Sequence, residues 1–185
     1  MAAPDPNNVL RLGGRFSLNP SNFSAAWPFG GVGLGLSLSA AFALNSESSL
    51  IDRPGRDEPQ EFLYRGETPQ VSAVFSEWSD DLIPAVFPNT KTGASGAKIL
   101  SGGQLRSGSR LSDKAAVLLF SPFDPVGFGF LALHRAIPLM DVSGEVALSF
   151  SADALYRVVW TGLANATGKV YTFGTKADVQ SELGL

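Results

Sequence analysis

The sequence predicts a mainly β chain folded as a single domain, residues 1–185, with short strands, long loops and one short internal helix. Three observations point there. The 185 residues include 20 glycines and 12 prolines, roughly 17% of the chain against about 12% in ordinary domains, which favours turns over long helices. Gly31–Ser39 alternates with period two, the periodicity of a strand with one buried face. Apolar runs such as Ala115–Phe120 are short and bounded by turn residues. With 44% hydrophobic and 17% charged residues, the chain is too apolar for disorder and too poor in Glu and Lys for a coiled coil.

The elements follow in order. Val9–Leu12 and Arg15–Leu18 flank Gly13-Gly14, a two-residue hairpin signal within an N-terminal arm of residues 1–30. In Gly31–Ser39, Val32, Leu34, Leu36 and Leu38 share one face, and Gly31, Gly33, Gly35, Ser37 and Ser39 the other. So smooth a face accepts a close neighbour, either a loop of the same chain or a partner surface. Asn45–Gln60, with Glu47, Asp52, Arg53, Arg56, Asp57 and Glu58 around Pro54-Gly55, reads as a projecting charged loop or hairpin tip. Glu61–Arg65 and Gln70–Ser76 read as two strands. Ser79–Phe87 is the internal helix, with Ser79 as cap, Asp80 and Asp81 at the positive end of the dipole, and Pro84 keeping it short. Residues 89–112 form a flexible, basic, Gly/Ser-rich loop. Ala115–Phe120 suits a buried strand; Phe128–Ile137, Glu145–Phe150, Leu155–Leu163 and Lys169–Phe173 are further strands. Thr175-Lys176-Ala177-Asp178 resembles a capping box, opening a terminal helix of one or two turns that is prone to fray.

Composition also limits the chemistry. The absence of cysteine removes disulfides, thiolate metal sites and cysteine nucleophiles, and a single histidine, His134, weakens any Ser-His-Asp arrangement. His134 lies in a strand pattern beside Arg135 and reads as a structural side chain. A net charge of −3 and a pI near 5.1 do not suit a dedicated duplex binder. No apolar run reaches the ~18 residues of a membrane span. Met1–Asn8 lacks a basic segment followed by an apolar one, so secretion is not expected. Glycines in Gly30–Gly35 lie inside a strand with no helix after them, which argues against a dinucleotide fingerprint. Gly93–Lys98 has the wrong spacing for a phosphate loop. Lys91-Thr92-Gly93 and Ser95–Lys98 match penicillin-binding elements in the wrong order and context. Asn22-Phe23-Ser24 and Asn165-Ala166-Thr167 fit a glycosylation sequon but imply nothing without secretion. Asp80 and Asp81, being adjacent, do not oppose each other as an acid–base pair. The expectation is a protein that is not an enzyme and uses no cofactor or metal.

The small net charge conceals two opposite regions. Asn45–Asp81 holds nine acids and three arginines, whereas 89–112 holds Lys91, Lys98, Arg106 and Arg110 and no acid. Opposite charge on one surface favours head-to-tail contact between copies, closing rings or building filaments. A solvated loop and a weak phosphate contact are the other readings of the basic segment.

One order of features is distinctive. An acidic stretch leads into Glu77-Trp78-Ser79-Asp80-Asp81-Leu82 and Phe87-Pro88, and then a Gly-rich segment. Val117–Pro122, Phe130–Asp141 and Trp160-Thr161-Gly162-Leu163 follow. Over roughly residues 61–163 this order resembles the major tail proteins of long-tailed bacteriophages. The resemblance implies a β-sandwich or split β-barrel with one short flanking helix and long loops. It implies a structural virion protein, assembled in the host cytoplasm, whose hexameric rings stack into a tail tube. Its partners would be copies of itself, other tail proteins and genomic DNA passing non-specifically through the lumen, with no membrane. The family carries no catalytic residues. By analogy Arg53, Arg56, Asp57 and Glu58, together with Lys91, Lys98, Arg106 and Arg110, would make contacts between subunits or rings. Gly31, Gly33, Gly35, Ser37 and Ser39 would face a subunit seam or the lumen. The alternatives are another ring component (tail terminator, neck or adaptor, baseplate tube) or a carbohydrate-binding β-sandwich. The scattered Trp27, Trp78 and Trp160 disfavour the last.

Overall fold

The computed structural model describes residues 13–51, 61–75, 80–87, 89–100, 105, 107–123, 128–140 and 156–185. The chain is mainly β. Its strands are β1 (Gly14–Leu18), β2 (Val32–Ile51), β3 (Glu61–Phe75), β4 (Thr90–Thr92), β5 (Lys98–Leu100), β6 (Ala116–Pro122), β7 (Phe128–Met140), β8 (Tyr156–Gly162) and β9 (Tyr171–Thr175). The helices are α1 (Leu82–Val86) and α2 (Lys176–Leu183). The large sheet runs β6-β1-β2-β3-β8-β7-β9, and β6 also pairs with β7. Six antiparallel strands therefore close on themselves. β7 makes the closure because it is long enough for three partners. β6 takes one edge of it, over Leu131–Ala136. β9 (at Phe128–Leu133) and β8 (at Ala136–Met140) share the other edge. The result is a split barrel, the form in which closure removes most exposed edges.

Alternation of side chains fills the barrel. Phe16, Leu34, Val71, Phe75, Leu118, Leu133, Val158 and Trp160 point inward and are buried. Trp160 stacks on Phe16 with ring centroids 5.8 Å apart and meets Phe75 edge-on at 6.1 Å. The outer face of β6 and β7 has its own core. Leu119, Phe130 and Ala132 pack under Phe23 and Phe29 of the segment after β1 and under Val179 of α2. These strands are thus covered on both faces, which is why Ala115–Phe120 is continuously apolar.

Several sequence expectations change. Val9–Leu12, the first half of the expected hairpin, lies outside the described residues; β1 itself pairs with β2 on one edge and with β6 on the other. Residues 45–51 are not a loop but the continuation of β2, and Glu61–Arg65 and Gln70–Phe75 are one strand. Asp80 and Asp81 precede α1 rather than occupying its first turn; Asp81 holds the N-cap position but makes no side-chain cap bond, and the expected cap, Ser79, lies outside the described residues. Inside the 89–112 stretch, β4 and β5 form a small hairpin. The Thr90 hydroxyl at its start donates to the Phe87 carbonyl at 2.6 Å. Glu145–Phe150 lies outside the described residues. Both expected helices are present, the short internal one and the terminal one. The second is the predicted capping box: the Thr175 hydroxyl accepts from the Asp178 N–H, and the Asp178 carboxylate accepts from the Thr175 N–H. Gly184 ends α2 in the left-handed conformation.

Candidate assembly surface

The dominant surface feature grows from the mismatch in strand lengths. β1 pairs with β2 only over Val32–Leu36, and β8 pairs with β3 only over Gln70–Phe75. Beyond those limits β2 and β3 continue as a pair, from Ala43 opposite Gln70 to Ile51 opposite Glu61. Among the described residues no third strand joins them. Leu44–Ile51 alone is roughly 26 Å of strand. The arm carries the core face of the barrel outward. Phe42 opposes Val71, Leu44 opposes Pro69 and Ser46 opposes Glu67. A register shift follows Glu47, and Tyr64 then opposes Ser48 on the same side. Leu44 is 43% exposed, Leu63 51% and Tyr64 60%. An isolated two-stranded ribbon is marginally stable in water, and this one presents Leu and Tyr side chains that no described residue covers.

The root of the arm is fastened to the barrel. The Tyr171 hydroxyl donates to the Glu67 carboxylate at 3.1 Å, and the Phe42 and Tyr171 rings are tilted with centroids 5.5 Å apart. Burial, together with the bond to Glu67 and its charge, pushes the Tyr171 hydroxyl above its ordinary pKa. Beside this root an apolar groove of about 350 Å³ opens between Phe16, Phe42, Val71, Phe120, Leu131 and Phe173.

The expected contact residues are dispersed. Arg53, Arg56, Asp57, Glu58 and Arg106 lie outside the described residues. Lys91 is exposed on β4, Lys98 on β5 donates through Nζ to the Thr92 hydroxyl at 2.8 Å, and Arg110 is exposed before a short 3-10 turn. Two of the four cations therefore sit together on the β4–β5 hairpin. The glycine face has a cover of its own. A Cβ on Gly33 would lie 2.4 Å from the Trp27 ring, and one on Gly31 would lie 2.3 Å from the Leu18 carbonyl. At these two positions the close neighbour is this chain, the same-chain reading of that face. Beyond them Gly35 has a positive φ, Ser37 is half-buried and Ser39 exposed, with a register shift between the serines.

His134 has the structural role the sequence suggested. It is buried, with Nε2 2.9 Å from the Thr172 hydroxyl and Nδ1 3.5 Å from the Asn165 amide. Burial, reinforced by the Lys169 ammonium, lowers its pKa. Asn165 of the second sequon is committed to its own turn, accepting from the Thr167 and Lys169 N–H groups. Among the described residues no three His, Asp or Glu side chains stand close enough to hold a metal ion. Nor is any helix there long and apolar enough to cross a membrane.

Sequence reasoning missed a cluster on the outer face of β1. The Arg15 guanidinium lies between the rings of Trp27 and Phe123, 5.3 and 5.1 Å from their centroids. Lys176 stands over Phe29 at 5.4 Å. The partners are far apart in sequence and no local pattern announces them; the bare Gly33 under Trp27 is the one trace.

No family model matches the chain, and no curated protein matches it. Among solved structures it is similar to a chain of one titled "Virion of native gene transfer agent (GTA) particle". The identity is 10%, the match covers 92% of this chain and 98% of that one, and the TM-score is 0.47. A likeness of that size does not assign an activity.

Proposed function

We propose that this chain is a structural virion protein, a tail tube subunit of a long-tailed phage, whose hexameric rings stack into the channel that conducts DNA. The observation that carries the reading is the β2–β3 arm. It prolongs a barrel core face into solvent, with Leu44 and Tyr64 exposed on a ribbon of two strands. Burying that ribbon against another copy supplies the third strand or the apolar cover that the described residues of this copy do not provide. The order of short motifs across residues 61–163 supports the same family.

The mechanism is mechanical rather than catalytic. The split barrel gives a stiff block, the arm reaches a neighbour, and the acidic and basic segments bias copies toward head-to-tail contact. A lumen of neutral or negative potential lets DNA slide without binding.

The arm is tested by Leu44→Asp combined with Tyr64→Asp. Both side chains are exposed in the single chain, so the barrel should keep its far-UV spectrum and a melting temperature within a few degrees. Assembly, followed by sedimentation velocity, should be lost. Unchanged assembly of a folded double variant would remove the arm from the account.

A further inference from the structure

We propose that Arg15 and Lys176 form a carboxylate-binding site, and that its occupant is an acidic side chain on the β2–β3 arm of a second copy. The inference rests on the self-assembly reading above. Both cations line one open cavity of about 300 Å³ on the outer face of β1, and none of its lining residues is acidic.

The site is built rather than accidental. Trp27 is seated on Gly33, where any Cβ would strike its ring. Phe123 lies over Gly13, where a Cβ would come within 3.1 Å of its ring, and its N–H donates to the Gly13 carbonyl at 3.0 Å. Each ring that flanks Arg15 is thus held by a glycine, and their positions define a slot. A guanidinium with aromatic rings against it is restrained in orientation and presents its N–H edge outward, the geometry that matches a carboxylate bidentately. Lys176, in the first turn of α2, adds a second donor and a second positive charge. Among the described residues neither cation has an ion-pair partner, although the chain has more acids than bases.

The arm offers the complementary chemistry. Glu47 is an exposed carboxylate on it, and the surrounding sequence from Asn45 to Asp81 has nine acids against three arginines. Phosphate chemistry fits less well. Two cations on a chain of net charge −3 are too few to hold a polyanion.

The test is zero-length carbodiimide cross-linking of assemblies made from isotopically light and heavy full-length chains. The expected product joins Lys176 to an acid of the arm in light–heavy pairs. Arg15→Gln should raise the concentration needed for assembly roughly tenfold, the loss of one charge-assisted hydrogen-bonded contact. Arg15→Lys should not restore it, because an ammonium neither fills the slot nor forks. Rings that form without the cross-link, and at an unchanged concentration in Arg15→Gln, would overturn this site and leave the tube reading standing. A chain that never assembles would overturn both. A fluorescein-labelled DNA duplex that binds the wild-type chain but not Arg15→Gln would identify phosphate as the occupant and also overturn the proposal.

Discussion

Trp160 shows how a single side chain organises the barrel. It is fully buried against Phe16 and Phe75, so Trp160→Ala should lose about 3–5 kcal/mol, read from urea unfolding. Its indole N–H has no hydrogen-bond partner among the described residues. Trp160→Phe should therefore cost markedly less, since no bond is lost with the N–H. His134 supplies a pH test. Its pKa is lowered from 6.5 by burial and then by Lys169, so the unfolded chain takes up a proton that the folded barrel resists. Stability should be full above the ordinary histidine value and decline as pH falls from about 7 to 5. His134→Gln should flatten that slope; an equal slope in the variant would assign it to other groups. At this scale the sequence was unevenly legible. A lone histidine in a strand pattern reads as structural because metal and catalytic sites need company. The face of Gly33 read as one that accepts a close neighbour, but Trp27 was not legible as that neighbour, because it reaches Gly33 through a turn and not through strand periodicity.

The capping box of α2 was legible because four adjacent residues specify it. Thr175→Ala should cost about 1 kcal/mol of stability, measured by thermal unfolding. The hydrogen bonds from Thr175 hold the Asp178 carboxylate below its ordinary pKa. Its contribution is therefore present above the unfolded value and is lost as pH falls through the folded one. The β2–β3 arm was misread in part. Asn45-Ser46-Glu47-Ser48-Ser49 shows no apolar alternation, since on a ribbon with solvent on both faces neither face must be apolar. Periodicity locates burial, and strand pairing without burial leaves no such mark. The same physics predicts the arm's behaviour. In the single chain, amides of Ala43–Leu50 and Phe62–Thr68 should exchange with solvent orders of magnitude faster than those of β6 and β7, and should become protected on assembly. Equal protection of arm and barrel in the monomer would show that the ribbon needs no partner.

Over the whole molecule the composition pointed correctly to a β fold, but closure did not follow from it. The split barrel depends on β7 serving β6, β8 and β9 at once, and pairing between strands so far apart in sequence leaves no local trace. The net charge of −3 likewise says less than its distribution, acidic toward the arm and basic in the segment that holds β4 and β5. Together with the exposed Leu44, Leu63 and Tyr64 of the arm, that distribution supports the proposal that the chain meets copies of itself. Negative-stain electron microscopy of the purified full chain, imaged over a range of concentrations, tests this claim most directly. Hollow rings with six-fold symmetry that stack into tubes as concentration rises are the expected result. Particles of single-chain size at every concentration, with neither rings nor tubes, would contradict it.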